Sequence, residues 1–177
     1  MSKLLIIVEG PTGAGKTTLV ERLSKRYKLP VIHRARPPAR LTDPVVMEEW
    51  YLDALNQRTS DGLILDRWIY SNPVYARVLR NQPRIRLDRC EGSVLTSFDR
   101  CATIFLRANP DVLLRRINRR EKPTMAPLRD LARLDRVVRE YDRVYNLCQL
   151  PKDLLMGTQD EVYRAARKLI EEEPTNG

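Results

Sequence analysis

Gly10-Pro11-Thr12-Gly13-Ala14-Gly15-Lys16-Thr17 decides how this chain folds. The stretch matches G-x-x-x-x-G-K-[ST] and stands where that pattern has physical meaning. It lies between an apolar run, Lys3 to Val8, and a helical pattern with Leu19, Leu23 and Tyr27 on one face. Glycines let the backbone wrap closely, so that several N–H groups point at phosphate oxygens, and the start of the following helix adds partial positive charge. Lys16 is placed to reach the β and γ phosphates of ATP, and Thr17 to offer its hydroxyl to Mg²⁺. The expected ATP site is therefore Gly10, Pro11, Thr12, Gly13, Ala14, Gly15, Lys16, Thr17 and Thr18.

Outward from this loop, strand and helix patterns alternate. Leu29 to His33 reads as a second strand, and Asp43-Pro44 as an N-cap with proline at the first helical position, opening a helix to about Arg58. Leu63-Ile64-Leu65 reads as a third strand, followed by Asp66-Arg67 and a helix start at Ser71-Asn72-Pro73. Ala102 to Leu106 is the fourth strand, and Asn109-Pro110-Asp111 caps the next helix. From Leu131, the residues Leu134, Val138, Tyr141, Tyr145 and Cys148 recur at steps of three and four, the mark of a long amphipathic helix. Pro151 stops it, Leu154-Leu155-Met156 makes a fifth strand, and Thr158 with Glu161 forms a capping box before a last helix. Residues 82–99 carry no readable period, and the tail from 171 to 177 is expected to fray.

Apolar strands alternating with helices predict an α/β fold of three layers, a five-stranded parallel sheet with helices on both faces. One domain over residues 1–177 is expected, with a short arginine-rich lid at about 116–127. Ligands of such sheets bind beyond the carboxyl ends of the strands, where Gly10, Arg34, Asp66 and Arg107 all fall.

Lysine and arginine number 32 against 23 acidic residues, a formal charge of +9, which implies anionic partners, nucleotide or nucleic acid. Cys90, Cys101 and Cys148 are an odd set without a C-x-x-C pair, so reduced thiols are expected rather than disulfides or zinc. The single histidine, His33, reads as a strand-end residue. The apolar run after Met1-Ser2-Lys3 is too short for a signal peptide or membrane span, so a cytoplasmic location without membrane contact is expected.

Asp66 and Arg67 follow the third strand, where a carboxylate can hold the water shell of Mg²⁺ and a guanidinium can grip a phosphate. Arg115, Arg116, Arg119 and Arg120 share one short helix, and some of them can close over a transferring phosphoryl group; a solvated basic helix end accounts for others. Helix capping alone accounts for Ser71 and Asn72, and core or subunit packing for the tyrosines of the long helix.

With these residues in view, the chain resembles the thymidylate kinase-like branch of P-loop nucleoside monophosphate kinases, from Lys3 to about Ile170. Besides the phosphate loop, Asp66-Arg67-Trp68-Ile69-Tyr70-Ser71-Asn72-Pro73-Val74-Tyr75 is similar to that family's D-R-[YF]-x-x-S-x-x-A-Y stretch, departing from it at Trp68 and Val74. Thr12 stands where the family usually has an acidic residue, and Ala76 where a glutamine often follows. The resemblance implies that Arg67 binds the acceptor phosphate, that Asn72 touches the base, that Tyr75 favours a deoxyribose, and that the protein is a homodimer. It also implies a catalytic arginine from the lid, with Arg116, Arg119 and Arg120 as candidates beside Lys16 and Arg67.

A monophosphate acceptor is largely ionised at neutral pH and needs charge neutralisation but no general base, whereas a nucleoside hydroxyl needs a group to take its proton. Related deoxynucleoside kinases carry a glutamate before a proline at the end of the second strand. This chain reads Arg34-Ala35-Arg36-Pro37 there, and Arg36 joins the expected acceptor set. The expectation is thus an ATP- and Mg²⁺-dependent (deoxy)nucleoside monophosphate kinase. A deoxynucleoside kinase, a polynucleotide 5′-hydroxyl kinase and an ATP-gated binding module stand as alternatives.

Overall fold

The computed structural model describes residues 2–33, 43–79, 85–120 and 123–172. Its sheet contains β1 (Leu4–Glu9), β2 (Val31–His33), β3 (Gly62–Asp66), β4 (Arg100–Leu106) and β5 (Lys152–Leu155) in the order β2-β3-β1-β4-β5, every pair parallel. Between the strands run α1 (Lys16–Tyr27), α2 (Pro44–Asp53), α3 (Ser71–Leu79), α4 (Leu87–Ser97), α5 (Pro110–Asn118), α6 (Leu131–Leu147) and α7 (Gln159–Glu171).

Side chains alternate across the pleat and sort the core into two layers. Leu5 and Ile7 of β1, with Leu63, Leu65 and Phe105, pack under α2 to α6; Ile6 and Val8, with Ile64, Ile104 and Leu106, pack under α1 and α7. Both faces of the sheet are covered, which is why its strands read as continuous apolar runs.

Local chemistry sets the helix ends as expected at three places. Asp43 Oδ1 accepts from the amides of Val45 and Val46, Asn109 Oδ1 accepts from Asp111 N, and Thr158 with Glu161 closes a reciprocal capping box. The helix expected to run to about Arg58 instead leaves the α conformation after Asp53 and continues as a 3₁₀ turn over Ala54–Gln57.

The segment without readable period contains α4. Its turn-like Glu91-Gly92-Ser93 sits in mid-helix, because Gly92 faces open space while Cys90, Glu91 and Val94 are buried. Cys90, Cys101 and Cys148 are free, and burial pushes the thiols of Cys90 and Cys101 up to about 12. Among the described residues, no helix is long and apolar enough to cross a membrane.

Candidate active site

Glu9 ends β1, Asp66 ends β3 and Leu106 ends β4, so the loop between β1 and α1 emerges at the carboxyl edge in the middle of the sheet. Gly10 has φ +137°, and a Cβ there would be driven into the Leu106 carbonyl. Gly15 caps α1 in the left-handed region at φ +98°, the turn that aims the first amides of the helix into the loop. Lys16 lies inside the loop, its Nζ donating to the carbonyls of Gly10 at 2.9 Å and Pro11 at 2.7 Å. Burial first, and the Arg67 charge second, hold its ammonium well below the usual lysine range, so an arriving polyphosphate meets a poorly solvated cation. Thr17 and Thr18 are exposed on the first turn of α1.

Arg67 sits opposite this loop. It is 8% exposed and has φ +67°, a left-handed turn that reverses the chain directly after β3 while its amide bonds Val8 O at 3.0 Å. The guanidinium donates to Ser71 Oγ at 2.9 Å, to Tyr141 Oη at 2.7 Å and to Thr12 Oγ1 of the phosphate loop at 3.3 Å. The Tyr75 ring lies 5.5 Å from it, and the Tyr75 hydroxyl is 3.2 Å from Thr12 Oγ1. Burial disfavours the Arg67 charge, but Tyr141, Tyr75, Glu9 and Asp66 outweigh it and keep the group cationic.

Behind Arg67 stands Glu9, fully buried. One carboxylate oxygen accepts from Trp68 N at 2.7 Å and Ser71 N at 3.3 Å; the other accepts from Ser71 Oγ at 2.7 Å. Burial pushes its pKa up, while Arg67, Ser71, Trp68 N and Lys16 pull it back. Little of this arrangement is legible from local patterns. Ser71 was expected as a helix cap, yet its hydroxyl is occupied with Glu9, Arg67 and Tyr141. Tyr141 was expected as core, yet its hydroxyl meets Arg67 and Ser71. A charged residue closing an otherwise apolar central strand is the one signal that pointed to Glu9.

Asp66 Oδ2 accepts from His33 Nδ1 at 2.8 Å across the paired ends of β2 and β3. Thr17 lies in the first turn of α1, directly after the loop that leaves β1, and Asp66 closes the neighbouring β3, so both lie at the carboxyl edge of the sheet. One carboxylate and one hydroxyl suit Mg²⁺, which keeps most of its shell for water and phosphate oxygens. Arg116 reaches over the loop from α5, donating to Gly13 O at 3.0 Å, and the Arg120 charge acts on Lys16; Arg119 is exposed at the end of the helix.

Asn72 is buried to 1% exposure, with Nδ2 on Met47 Sδ at 2.9 Å and Oδ1 accepting from Ile85 N at 3.4 Å, so its described bonds lie within the protein. Arg36 lies outside the described residues, as do residues 121 and 122 of the expected lid. A cavity of about 260 Å³ opens beside the loop between Ala14, Arg107, Arg116, Met156 and Gln159.

Residues 6–136 match the family described as AAA domain. The chain belongs to the AAA-domain family. A curated relative of this AAA-domain chain is the SPbeta prophage-derived uncharacterized protein YorR of Bacillus subtilis (strain 168), 28% identical over 116 residues, 64% of this chain and 67% of the relative. The solved structure of YorR from Bacillus subtilis in complex with phosphorylated GDP superposes with a TM-score of 0.75 at 23% identity, covering 94% of this chain and 95% of that one. Deoxyadenosine kinase from M. mycoides with bound dATP gives a TM-score of 0.60 at 19% identity, covering 93% and 98%. At these identities the two structures establish a shared architecture, the P-loop kinase fold.

Proposed function

We propose that the chain transfers the γ-phosphoryl group of ATP to the phosphate of a (deoxy)nucleoside monophosphate, giving ADP and a nucleoside diphosphate. One observation carries this reading. Arg67 is a fixed cation facing the phosphate loop, and the hydrogen bonds described for its guanidinium all end on hydroxyl oxygens, Ser71, Tyr141 and Thr12. Its charge has no carboxylate in direct contact among these bonds, which suits an incoming phosphate.

In this reading the triphosphate lies along residues 10–18, with its base in the cavity beside Ala14 and Met156, where Arg116 can stack on it. Thr17 and Asp66 would hold Mg²⁺, which would supply positive charge to the phosphate oxygens. Lys16 contacts the γ phosphate, and Arg116, Arg119 and Arg120 supply lid charge to its peripheral oxygens. Arg67 with Arg36 holds the acceptor phosphate, and Tyr75 and Asn72 lie on the acceptor side. The bond from the γ phosphorus to the β–γ bridging oxygen breaks as a bond from an acceptor phosphate oxygen forms in line, and ADP keeps the bridging oxygen. No proton has to leave the acceptor, whose second pKa is about 6.

A deoxynucleoside acceptor is the second reading, favoured by Asp66. Glu9 already accepts three hydrogen bonds and is sealed from the mouth, so Asp66, with 13% of its side chain exposed, is the carboxylate left to take a hydroxyl proton. The test is transfer from ATP·Mg²⁺ to a panel of ribo- and deoxyribonucleoside monophosphates, free nucleosides and 5′-hydroxyl oligonucleotides. Diphosphates formed from monophosphates support the first reading. Turnover only with nucleosides or oligonucleotide ends sinks it, and bound ATP that persists unchanged with every acceptor points to a binding module.

A further inference from the structure

We infer that Glu9 is a positioning residue for Arg67, acting through the Ser71 and Tyr141 hydroxyls to hold the guanidinium facing the phosphate loop. The inference rests on Arg67 as the acceptor cation and adds what fixes it. Glu9 touches neither the expected ATP nor the acceptor.

The hydrogen bonds have a direction. An ionised carboxylate only accepts, so the single Ser71 proton goes to Glu9 at 2.7 Å. The 2.9 Å contact between Ser71 and Tyr141 then has Tyr141 as donor, which leaves both hydroxyl oxygens turned as acceptors toward the same Arg67 nitrogen, at 2.9 and 2.7 Å. A chain of hydroxyls anchored on a negative charge thus presents two oriented lone pairs to a cation, and each bond strengthens the next. The same carboxylate ties the amides of Trp68 and Ser71, the turn in which Arg67 takes its left-handed conformation. Three elements meet there: β1 supplies Glu9, α3 Ser71 and α6 Tyr141. Burial raises the Glu9 pKa, and the Arg67 charge, one hydroxyl away, opposes that rise.

Glu9→Gln separates this role from mere support of the turn. The amide oxygen of glutamine can keep the bonds to Trp68 N and Ser71 N, but its NH₂ then faces Ser71 Oγ and reverses the hydroxyl chain. Ser71 must turn its proton toward Tyr141, whose oxygen then takes two donors, Ser71 and Arg67, while its own proton loses its acceptor, and the bond to Arg67 weakens. Weakening a bond to a charged group and removing the negative charge behind it predicts about a tenfold rise in the KM of the monophosphate that the wild type uses, with the KM for ATP within about twofold.

The test is run on the full chain with Glu9→Gln, Ser71→Ala and Tyr141→Phe, reading thermal midpoint, both KM values and the arginine side-chain ¹⁵N–¹H spectrum without ligand. In the wild type the Arg67 Nη–H signals should be resolved and slow to exchange. In Glu9→Gln they should exchange about tenfold faster at an unchanged thermal midpoint. Unchanged Arg67 signals and acceptor KM in Glu9→Gln overturn the inference, as does an equal loss for ATP and acceptor alongside a fallen midpoint. If Glu9→Gln fails to fold, unchanged Arg67 exchange in both Ser71→Ala and Tyr141→Phe overturns it. A wild type that uses no monophosphate refutes the proposed function alone, since the spectrum needs no turnover.

Discussion

The two halves of the proposed site, donor and acceptor, are built from different materials. On the donor side, the phosphate loop is shaped by its backbone: Gly10 and Gly15 take conformations closed to other residues, the helix start aims its amides, and Lys16 is the main charged side chain within the loop. On the acceptor side, Arg67 is held by side chains from separate parts of the chain, Thr12, Ser71 and Tyr141, with Glu9 behind them. Backbone shape is local in sequence, so the donor half is compact and self-sufficient. The acceptor half exists only when β1, α3 and α6 have all packed.

The sharpest way to break this division is at its strongest point. Lys16→Ala should lower turnover at saturating substrates by about a thousandfold or more, because Lys16 meets charge that develops on the transferring group. Steady-state assays with the best acceptor measure it, and a loss below tenfold would mean that the loop's backbone alone carries the donor. Next, Arg67→Ala should cut kcat/KM for the acceptor by about a hundredfold, the loss of a buried charged contact, while leaving the KM for ATP within about twofold. If ATP suffers equally, the two halves are one unit and the comparison fails.

Arg116 tests the border from the other side. It belongs to α5 yet donates to Gly13 O, so it braces the phosphate loop besides standing among the proposed lid cations. Arg116→Ala should lower kcat by about tenfold with little change in the acceptor KM. A larger loss in Arg119→Ala or Arg120→Ala would move the working lid cation further along the chain.

This division also explains what could be read in advance. Sheet, helix faces and phosphate loop follow from local patterns: apolar runs, steps of three and four, glycines around Lys16, and caps such as Asp43, Asn109 and Thr158. Helix α4 escaped because Gly92 and its polar neighbours look like a turn, and only the burial of Cys90, Glu91 and Val94 against distant elements makes the segment helical. Glu91 illustrates the point, since it accepts from the Tyr70 hydroxyl at 2.7 Å and from Gln149 N at 3.1 Å, both remote in sequence. Tyr141 escaped for the same reason. Its place in an apolar stripe announces burial, but nothing local tells that its hydroxyl, 74 positions from Arg67, completes that residue's cradle.

The seam between the halves is Thr12, and it gives the smallest and most discriminating prediction. Its hydroxyl is the point where the phosphate loop touches both Arg67, at 3.3 Å, and Tyr75, at 3.2 Å. Thr12→Val removes the hydroxyl at nearly constant volume, and Arg67 keeps its shorter bonds to Ser71 and Tyr141. The 3.3 Å bond is long, so the acceptor KM should rise only about threefold, with the ATP KM unchanged. Thr12→Asp places a carboxylate at the same point, where it can pair with the guanidinium and answer within the protein the charge proposed for the acceptor. Because a charged pair is stronger than a neutral contact, Thr12→Asp should raise the acceptor KM more than Thr12→Val does. Acceptor titrations of both variants measure the order. An acceptor KM lower in Thr12→Asp than in the wild type would show that a negative charge at this seam helps the acceptor to bind, and that the openness of Arg67 to an outside anion is not what selects it.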